Sequence, residues 1–237
     1  MRALTTREML DIWERGEAAG AVRRSLELIA TADGVALDEA MTLGIGARNA
    51  RLLDLREAMF GPRVESTAAC PDCGEEVEFA FETGDLRIGA AHEGGTFELA
   101  VEQWRFTLRL PVCADLVDLP SGIDAARQAL FRRCIVSADG PPLPALWPPS
   151  VLAAAADAIA MRDPQAQMDI DLTCAACGRR RLVAFNIAQF LWAEIADAGR
   201  RLIDEVAILA RAFGWNEAET LALPPARRRR YLEAALS

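Results

Sequence analysis

Four of the six cysteines lie in two short segments that share the pattern C-x-x-C-G, residues 70–74 and residues 174–178. Each segment is followed at the same offset by an apolar run, so the pair forms a short internal repeat. Two such turns supply four thiolates, which is the ligand set of a tetrahedral structural zinc site with no position left for water or substrate. The spacing therefore predicts one structural Zn²⁺ per chain, bound by Cys70, Cys73, Cys174 and Cys177.

The sequence alone leaves three other uses of these four cysteines to be considered, namely a redox dithiol, disulfides and an iron–sulfur cluster. A redox dithiol would need a thioredoxin-like βαβ context, whereas each turn here lies between two strand-like runs. Disulfides are disfavoured because the first residues are charged and helical and show no secretory signal. An iron–sulfur cluster is a further use of four cysteine ligands. The two remaining cysteines, Cys113 and Cys134, lack the C-x-x-C spacing and are predicted to be small buried apolar residues.

The composition is that of a globular chain that can bury a sizeable core, with 237 residues of which 52% are apolar. The net charge of −9 does not favour non-specific binding to nucleic acid. No apolar run is long enough to span a membrane. The single histidine, His92, lies in a Gly-rich segment, and the chain has no nucleotide-binding or nucleophile motif, so we do not expect an enzyme or a small-molecule substrate.

The hydrophobic pattern around each cysteine turn places it at the tip of a β-hairpin. Apolar residues alternate with polar ones at 77–81 after the first turn and at 168–172 before the second. Between the hairpins we predict a Gly-rich loop, a strand, a helix, a stiff Pro-rich link and a second helix. These elements are assigned, in the same order, to residues 84–96, 104–110, 123–137, 140–149 and 150–161.

Helical patterns flank the hairpins on both sides. Residues 1–61 predict a small unit of three helices, which opens on a capping box of Thr5 and Glu8 and ends at Gly61. Residues 186–213 predict one long helix, which is followed by two short ones. The expected fold is α+β and mostly helical, with the two hairpins clasped into a zinc-ribbon-like unit. Its predicted units are residues 1–61, residues 62–185 with a helical insert at about 113–165, and a C-terminal helical arm at 186–237.

The C-terminal arm contains four consecutive arginines, Arg227 to Arg230. They lie near a helix N-terminus, where the helix dipole disfavours cations, so local stability does not explain them. Trp, Tyr and Arg are the residue types that dominate interface energetics. We therefore predict a partner-binding surface, although the arm could instead fold back as ordinary core. The predicted partner-binding residues are Trp215, Arg227, Arg228, Arg230 and Tyr231.

Several further segments are specific enough to compare with a known family, namely residues 4–14, the F-G-P-R turn at 60–63, both C-x-x-C-G turns, F-L-W-A-E at 190–194 and the tail at 210–231. In this order they resemble the T4 family of baseplate hub assembly chaperones. The resemblance implies a protein made with contractile phage tails or related injection systems, which helps to build the hub at the centre of the baseplate. It implies hub or spike proteins as partners and cytoplasmic action during assembly, and it leaves open whether the protein stays in the finished particle.

The sequence thus supports a non-catalytic assembly or structural protein first, with a nucleic-acid-binding zinc-ribbon protein as the alternative. Arg179, Arg180 and Arg181 beside the second turn are the best feature for nucleic acid. Glu75 and Glu76 occupy the equivalent place beside the first turn. We therefore expect these arginines to form an internal charge pair between the hairpins.

Overall fold

The structure is a computed structural model that describes residues 1–89 and 95–236. His92 and the middle of the predicted loop at 84–96 lie outside the described residues. The start of that segment forms a short 3-10 turn, Thr83–Leu86. The fold is α+β and mostly helical, with small antiparallel sheets and a long C-terminal helix, as the sequence predicts.

The first 60 residues form four helices rather than the three predicted. The capping box of Thr5 and Glu8 is present at the start of the first helix. The additional helix has only five residues and no side-chain cap, which is why the sequence gives little sign of it. The helices are α1 (Thr6–Gly16), α2 (Ala21–Asp33), α3 (Leu37–Met41) and α4 (Ile45–Phe60).

Three antiparallel sheets follow within the described residues, and the first and last are the predicted hairpins. The first hairpin pairs β1 (Arg63–Ala69) with β2 (Glu76–Glu82). The middle sheet has the order β3 (Thr96–Val101), β4 (Trp104–Arg109) and β5 (Ile135–Asp139). The last hairpin pairs β6 (Asp169–Thr173) with β7 (Arg180–Ala184).

The middle sheet and two helices, α5 (Ile123–Cys134) and α6 (Pro149–Arg162), enclose a separate core. The predicted helix at 123–137 is wrong at its end, because Ile135 leaves the helix and pairs with Leu108 of β4. An apolar β-branched residue such as Ile135 is compatible with a helical face and with a strand, and here the pairing with β4 makes it part of a strand. The buried residues of this core are Trp104, Phe106, Leu108, Phe131, Trp147, Val151 and Ala155.

The main core is organised around α7 (Ile187–Phe213), a helix of 27 residues. Its first half packs against α1, α2 and α4 and contributes Ile187, Leu191 and Ile195 to the core. Its second half carries α8 (Glu217–Ala222) and α9 (Pro225–Ala235). The predicted long helix is therefore confirmed, and its length serves two packing surfaces.

Two reciprocal Trp–Gly contacts set the crossing of α1 and α7. The ring of Trp13 lies over Gly199, where an added Cβ would stand 2.6 Å from Cε3. The ring of Trp192 lies over Gly16 in the same way. Arg24 stacks on Trp192 at 4.7 Å from the ring centroid and donates to the carbonyl of Gly16 at 2.6 Å. The missing side chains let the two helices approach closely while the indoles fill the space.

A buried arginine fastens the start of the first hairpin to α7. The guanidinium of Arg56 donates to both carboxylate oxygens of Glu194, at 3.1 and 2.9 Å. It also donates to the carbonyls of Gly61 and Arg63, each at 2.6 Å. The side chain of Arg56 is only 5% exposed, so these four bonds satisfy a charge that burial would otherwise penalise.

The entry to the second hairpin is fastened to α4. The backbone N–H of Gly46, in the first turn of α4, donates to Asp163 Oδ2 at 2.9 Å. Asn49 donates to the carbonyls of Gln165 and Ala166 at 3.0 and 3.1 Å. Burial raises the pKa of Asp163, against the effect of the Gly46 bond. The hairpins thus start from two different points of the helical unit.

Candidate metal centre

The two cysteine turns have the same backbone geometry. In the first, Cys70 N–H donates to the carbonyl of Glu75 at 2.7 Å, and Gly74 N–H donates to the carbonyl of Cys70 at 2.8 Å. In the second, the bonds from Cys174 to Arg179 and from Gly178 to Cys174 measure 3.0 and 2.9 Å.

Glycine is required at the end of each turn. Gly74 has φ of 76° and Gly178 has φ of 69°, which is the left-handed region that side chains other than glycine rarely adopt. This backbone reversal lets both cysteines of a turn point to one side.

Aromatic packing brings the hairpins together and seats them on α7. Phe81 of β2 makes an edge-to-face contact with Phe185, with ring centroids 5.3 Å apart. Phe185 in turn contacts Phe190 of α7, also at 5.3 Å. Phe81 and Phe185 are the residues that end the two apolar runs of the sequence repeat. The repeat therefore supplies both the ligand turns and the contact that aligns them.

All four predicted ligands meet at one point. The sulfurs of Cys70, Cys73, Cys174 and Cys177 all lie within 4.8 Å of one another. Across the hairpins, Cys70 Sγ lies 3.8 Å from Cys177 Sγ, and Cys73 Sγ lies 3.7 Å from Cys174 Sγ. These separations are far longer than an S–S bond, and all six cysteines are free.

The sulfur separations fit a single tetrahedral ion. Because a Zn–S bond is about 2.3 Å long, a regular tetrahedron of four sulfurs around zinc has edges of about 3.8 Å. A cluster that places several irons between the thiolates needs sulfurs that are spread more widely. The donor set therefore fits one metal ion with four thiolate ligands, and it completes the coordination of that ion without water.

Two of the cysteines have pKa values that are shifted in opposite directions. The backbone N–H groups of Asp72 and Cys73 lower the pKa of Cys70 to about 7, because they favour its thiolate. The N–H of Glu75 favours the thiolate of Cys73, but desolvation and the other three sulfurs outweigh it and raise that pKa to about 12. Four adjacent thiols cannot all ionise unless a cation compensates the charge.

An ion-pair bridge crosses the outside of the site, and its acidic member is Asp72 rather than the predicted Glu75 and Glu76. Arg181 makes two bonds to the carboxylate of Asp72, at 2.9 and 2.8 Å. Arg179 adds a third at 3.0 Å. Asp72 lies between the cysteines of the first turn, so the bridge ties the two turns together directly. The sequence contained a signal for this bridge, because Arg179 and Arg181 follow the second turn and Asp72 lies within the first.

The other two cysteines take no part in this site. Cys113 and Cys134 are both fully buried, as predicted, and Cys113 packs in a small cluster beside α2 and α3. Burial raises the pKa of each thiol to about 11. They are protonated at neutral pH and behave as small apolar side chains.

The C-terminal helices fold back on the second half of α7. Leu221 packs against the main core, and Thr220 is fully buried. Arg228 is buried as well and pairs with Glu205 of α7 at 2.6 Å. Of the predicted partner-binding residues, Arg228 therefore faces inward, whereas Arg227, Arg230 and Tyr231 are exposed and Trp215 is half-buried.

No family model, no curated protein and no solved structure matches this chain in the comparisons. Among the described residues, no helix combines the length and the apolar character needed to cross a membrane.

Proposed function

We propose that this chain is a non-catalytic assembly or structural protein of a contractile-tail or injection-system baseplate, which acts on the central hub as chaperone or component. One structural Zn²⁺ holds its two hairpins together. The observation that carries the proposal is the closed cluster of four cysteines, which joins turns separated by one hundred residues, 74 to 173. Such a site stabilises a shape rather than activating a substrate.

The packing of the segments that resemble the chaperone family supports this assignment. Arg56 joins two of them, because it pairs with Glu194 of residues 190–194 and donates to two backbone carbonyls of residues 60–63. A third, residues 4–14, is seated on α7 by the contact of Trp13 with Gly199. The resemblance thus covers one packed unit that also positions the cysteine turns.

The proposed hub-binding residues are the exposed Arg227, Arg230 and Tyr231 of α9 and the half-buried Trp215, which lies between α7 and α8. Arg228 belongs to the proposal as a positioning residue, because its ion pair with Glu205 fixes α9 against α7. The protein acts in the cytoplasm while the baseplate is assembled, with hub or spike proteins as partners.

The ion pairs of the second hairpin weigh against nucleic acid as the ligand. Arg179 and Arg181 pair with Asp72, and Arg180 pairs with Asp171. Their charges are compensated within the chain, so few remain for a phosphate backbone. Fluorescence anisotropy should show no submicromolar binding of duplex or single-stranded DNA at physiological salt. Tight binding with a steep salt dependence would favour the zinc-ribbon alternative.

Co-expression with contractile-tail proteins tests the proposal. The gene is expected to lie among genes for a tail sheath and spike, and the tagged chain should co-purify with the hub or spike protein encoded there. The Cys113→Ala variant is a control for this capture, because it removes a thiol outside the metal site and should keep both the metal and the partner. A neighbourhood without tail genes, together with no capture of hub or spike protein, would overturn the assignment.

A further inference from the structure

Three aromatic rings form a surface cluster where α7 ends and α9 passes. The ring centroids of Phe213 and Trp215 lie 5.0 Å apart, and those of Trp215 and Tyr231 lie 4.8 Å apart. Phe213 and Tyr231 also touch, at 5.9 Å. Phe213 is 41% exposed and Tyr231 is 37% exposed, so much of this cluster faces solvent. Exposed aromatic clusters of this kind are typical of interaction sites.

Helical geometry divides the four arginines of α9 between three directions. Arg228 points to α7, where it pairs with Glu205. At about 100° per residue, Arg227 lies about 40° from Tyr231 around the axis of α9 and Arg230 lies about 60° beyond Arg227, so these three residues span about 100° of the helix surface. Arg229 falls on the opposite side of the helix from that face. Arg227, Arg230, Phe213, Trp215 and Tyr231 together are called the aromatic–arginine patch below.

The arginines of the patch are not used by the fold. No ion pair to Arg227 or Arg230 occurs within the part of the chain that the structure describes. Arg227 lies in the first turn of α9, where the dipole of the helix disfavours positive charge, and Arg230 lies in the second turn. They also concentrate positive charge in a chain whose net charge is −9. Their charge is therefore available to a ligand.

We propose that the aromatic–arginine patch is a docking site for an acidic peptide segment that carries a large apolar side chain. The guanidinium groups offer forked donors to Asp or Glu carboxylates. The half-buried Trp215 and its neighbours offer a flat apolar surface for the anchoring side chain. The inference rests on the proposed function, since it gives the chemistry of the segment that a hub partner would present.

A nucleic-acid strand and a second copy of the chain are the two other occupants to be distinguished. A nucleic-acid strand carries a charge on every phosphate and would meet Glu217 and Glu219 at the start of α8, which lie beside Trp215 in the sequence, whereas a peptide can present its carboxylates to the arginines alone. A second copy of the chain would also be drawn by opposite charge, but it would make the protein self-associate. Both are distinguished by the experiment below.

The experiment selects random displayed peptides on the full-length, zinc-loaded protein and then measures the affinity of synthetic copies. The enriched peptides should carry Asp or Glu around Leu, Phe or Trp. Trp215→Ala and Arg230→Glu should each weaken their binding about tenfold or more. Arg229→Glu makes the same change of charge on the other side of the helix and should leave the affinity nearly unchanged. Zinc content and melting temperature are measured for each variant, so that a folding defect is recognised.

Several results would overturn the inference. Enriched peptides without an excess of Asp and Glu, or an equal loss of affinity in Arg229→Glu and Arg230→Glu, would contradict the role of the arginines. Tighter binding of an oligothymidylate than of any peptide would indicate nucleic acid as the ligand. A dimer in sedimentation that Trp215→Ala dissociates would indicate a second copy of the chain. The outcomes are separable from those of the proposed function. If acidic peptides bind but hub proteins do not, the docking site is supported and the proposed function is contradicted. If Trp215→Ala captures a hub protein as well as the parent does, the docking site is contradicted and the proposed function is supported.

Discussion

Cys174 tests the ligand set at the scale of single residues. It is 3% exposed and lies 3.7 Å from the sulfur of Cys73. Cys174→Ser should lose the bound metal, because the hydroxyl is not ionised and three thiolates leave the coordination incomplete. Cys113→Ala, which removes an equally buried thiol away from the site, should keep one metal per chain. Metal analysis of the two purified variants checks this, and a Cys174→Ser protein with full metal content would argue against the assignment.

Gly199 tests the close crossing of α1 and α7. Replacing glycine by alanine in a helix normally stabilises it by up to about 1 kcal/mol. Here the new Cβ would stand 2.6 and 2.7 Å from two atoms of Trp13, so Gly199→Ala should instead destabilise the fold by about 1–3 kcal/mol. The comparison is Arg201→Ala on the exposed side of the same helix, which should change stability by less than about 0.5 kcal/mol. Urea unfolding measures both, and a stabilised Gly199→Ala protein would contradict the packing.

Glu8 makes part of the stability depend on pH. The hydrogen bond from Arg2 and the capping bonds from Thr5 lower its pKa from 4.5 to about 2. A carboxyl whose pKa is lowered in the folded state stabilises the fold above its ordinary pKa, and this stability is lost as the pH falls. The melting temperature of Glu8→Gln should therefore be below that of the parent at neutral pH. The gap should narrow between about pH 4.5 and 2. A gap that does not change with pH would mean that the charge of Glu8 contributes nothing.

At the scale of elements, the Arg56–Glu194 ion pair holds the first hairpin to α7. Glu194→Ala leaves a buried guanidinium with only the two carbonyl acceptors and should cost about 2–3 kcal/mol. The control is Asp197→Ala, which breaks the exposed pair with Arg200 one turn away and should cost less than about 1 kcal/mol. Thermal melting of both variants decides it. Equal effects would show that burial of the pair is not what matters.

The sequence predicts those elements whose signal is local. The cysteine turns are found because Cys and Gly recur at fixed spacing, and the hairpins around them because apolar residues alternate. β5 is missed because Ile135 continues a helical pattern and only β4 makes it a strand. The inward direction of Arg228 is missed because Glu205 lies on another helix. Contacts across long sequence separations leave no local pattern.

At the scale of the whole molecule, a metal bound by the four cysteines would close a loop of one hundred residues that contains the separate core of the middle sheet. Closing a long loop has an entropic cost, which metal binding offsets only in the folded state. Chelation should therefore release the hairpins first. In hydrogen exchange, the amides of β1, β2, β6 and β7 should lose protection, while those of α2 and α4 keep it. Uniform loss of protection would mean that the metal holds the entire fold rather than the hairpins.

The central claim is that four thiolates hold one zinc ion at the meeting point of the hairpins. Zinc-edge X-ray absorption of protein purified without added metal tests it most directly. We expect one zinc per chain with four sulfur neighbours at about 2.3 Å and no oxygen or nitrogen ligand. An absent metal, a coordination shell with fewer than four sulfurs, or iron in place of zinc would contradict the claim.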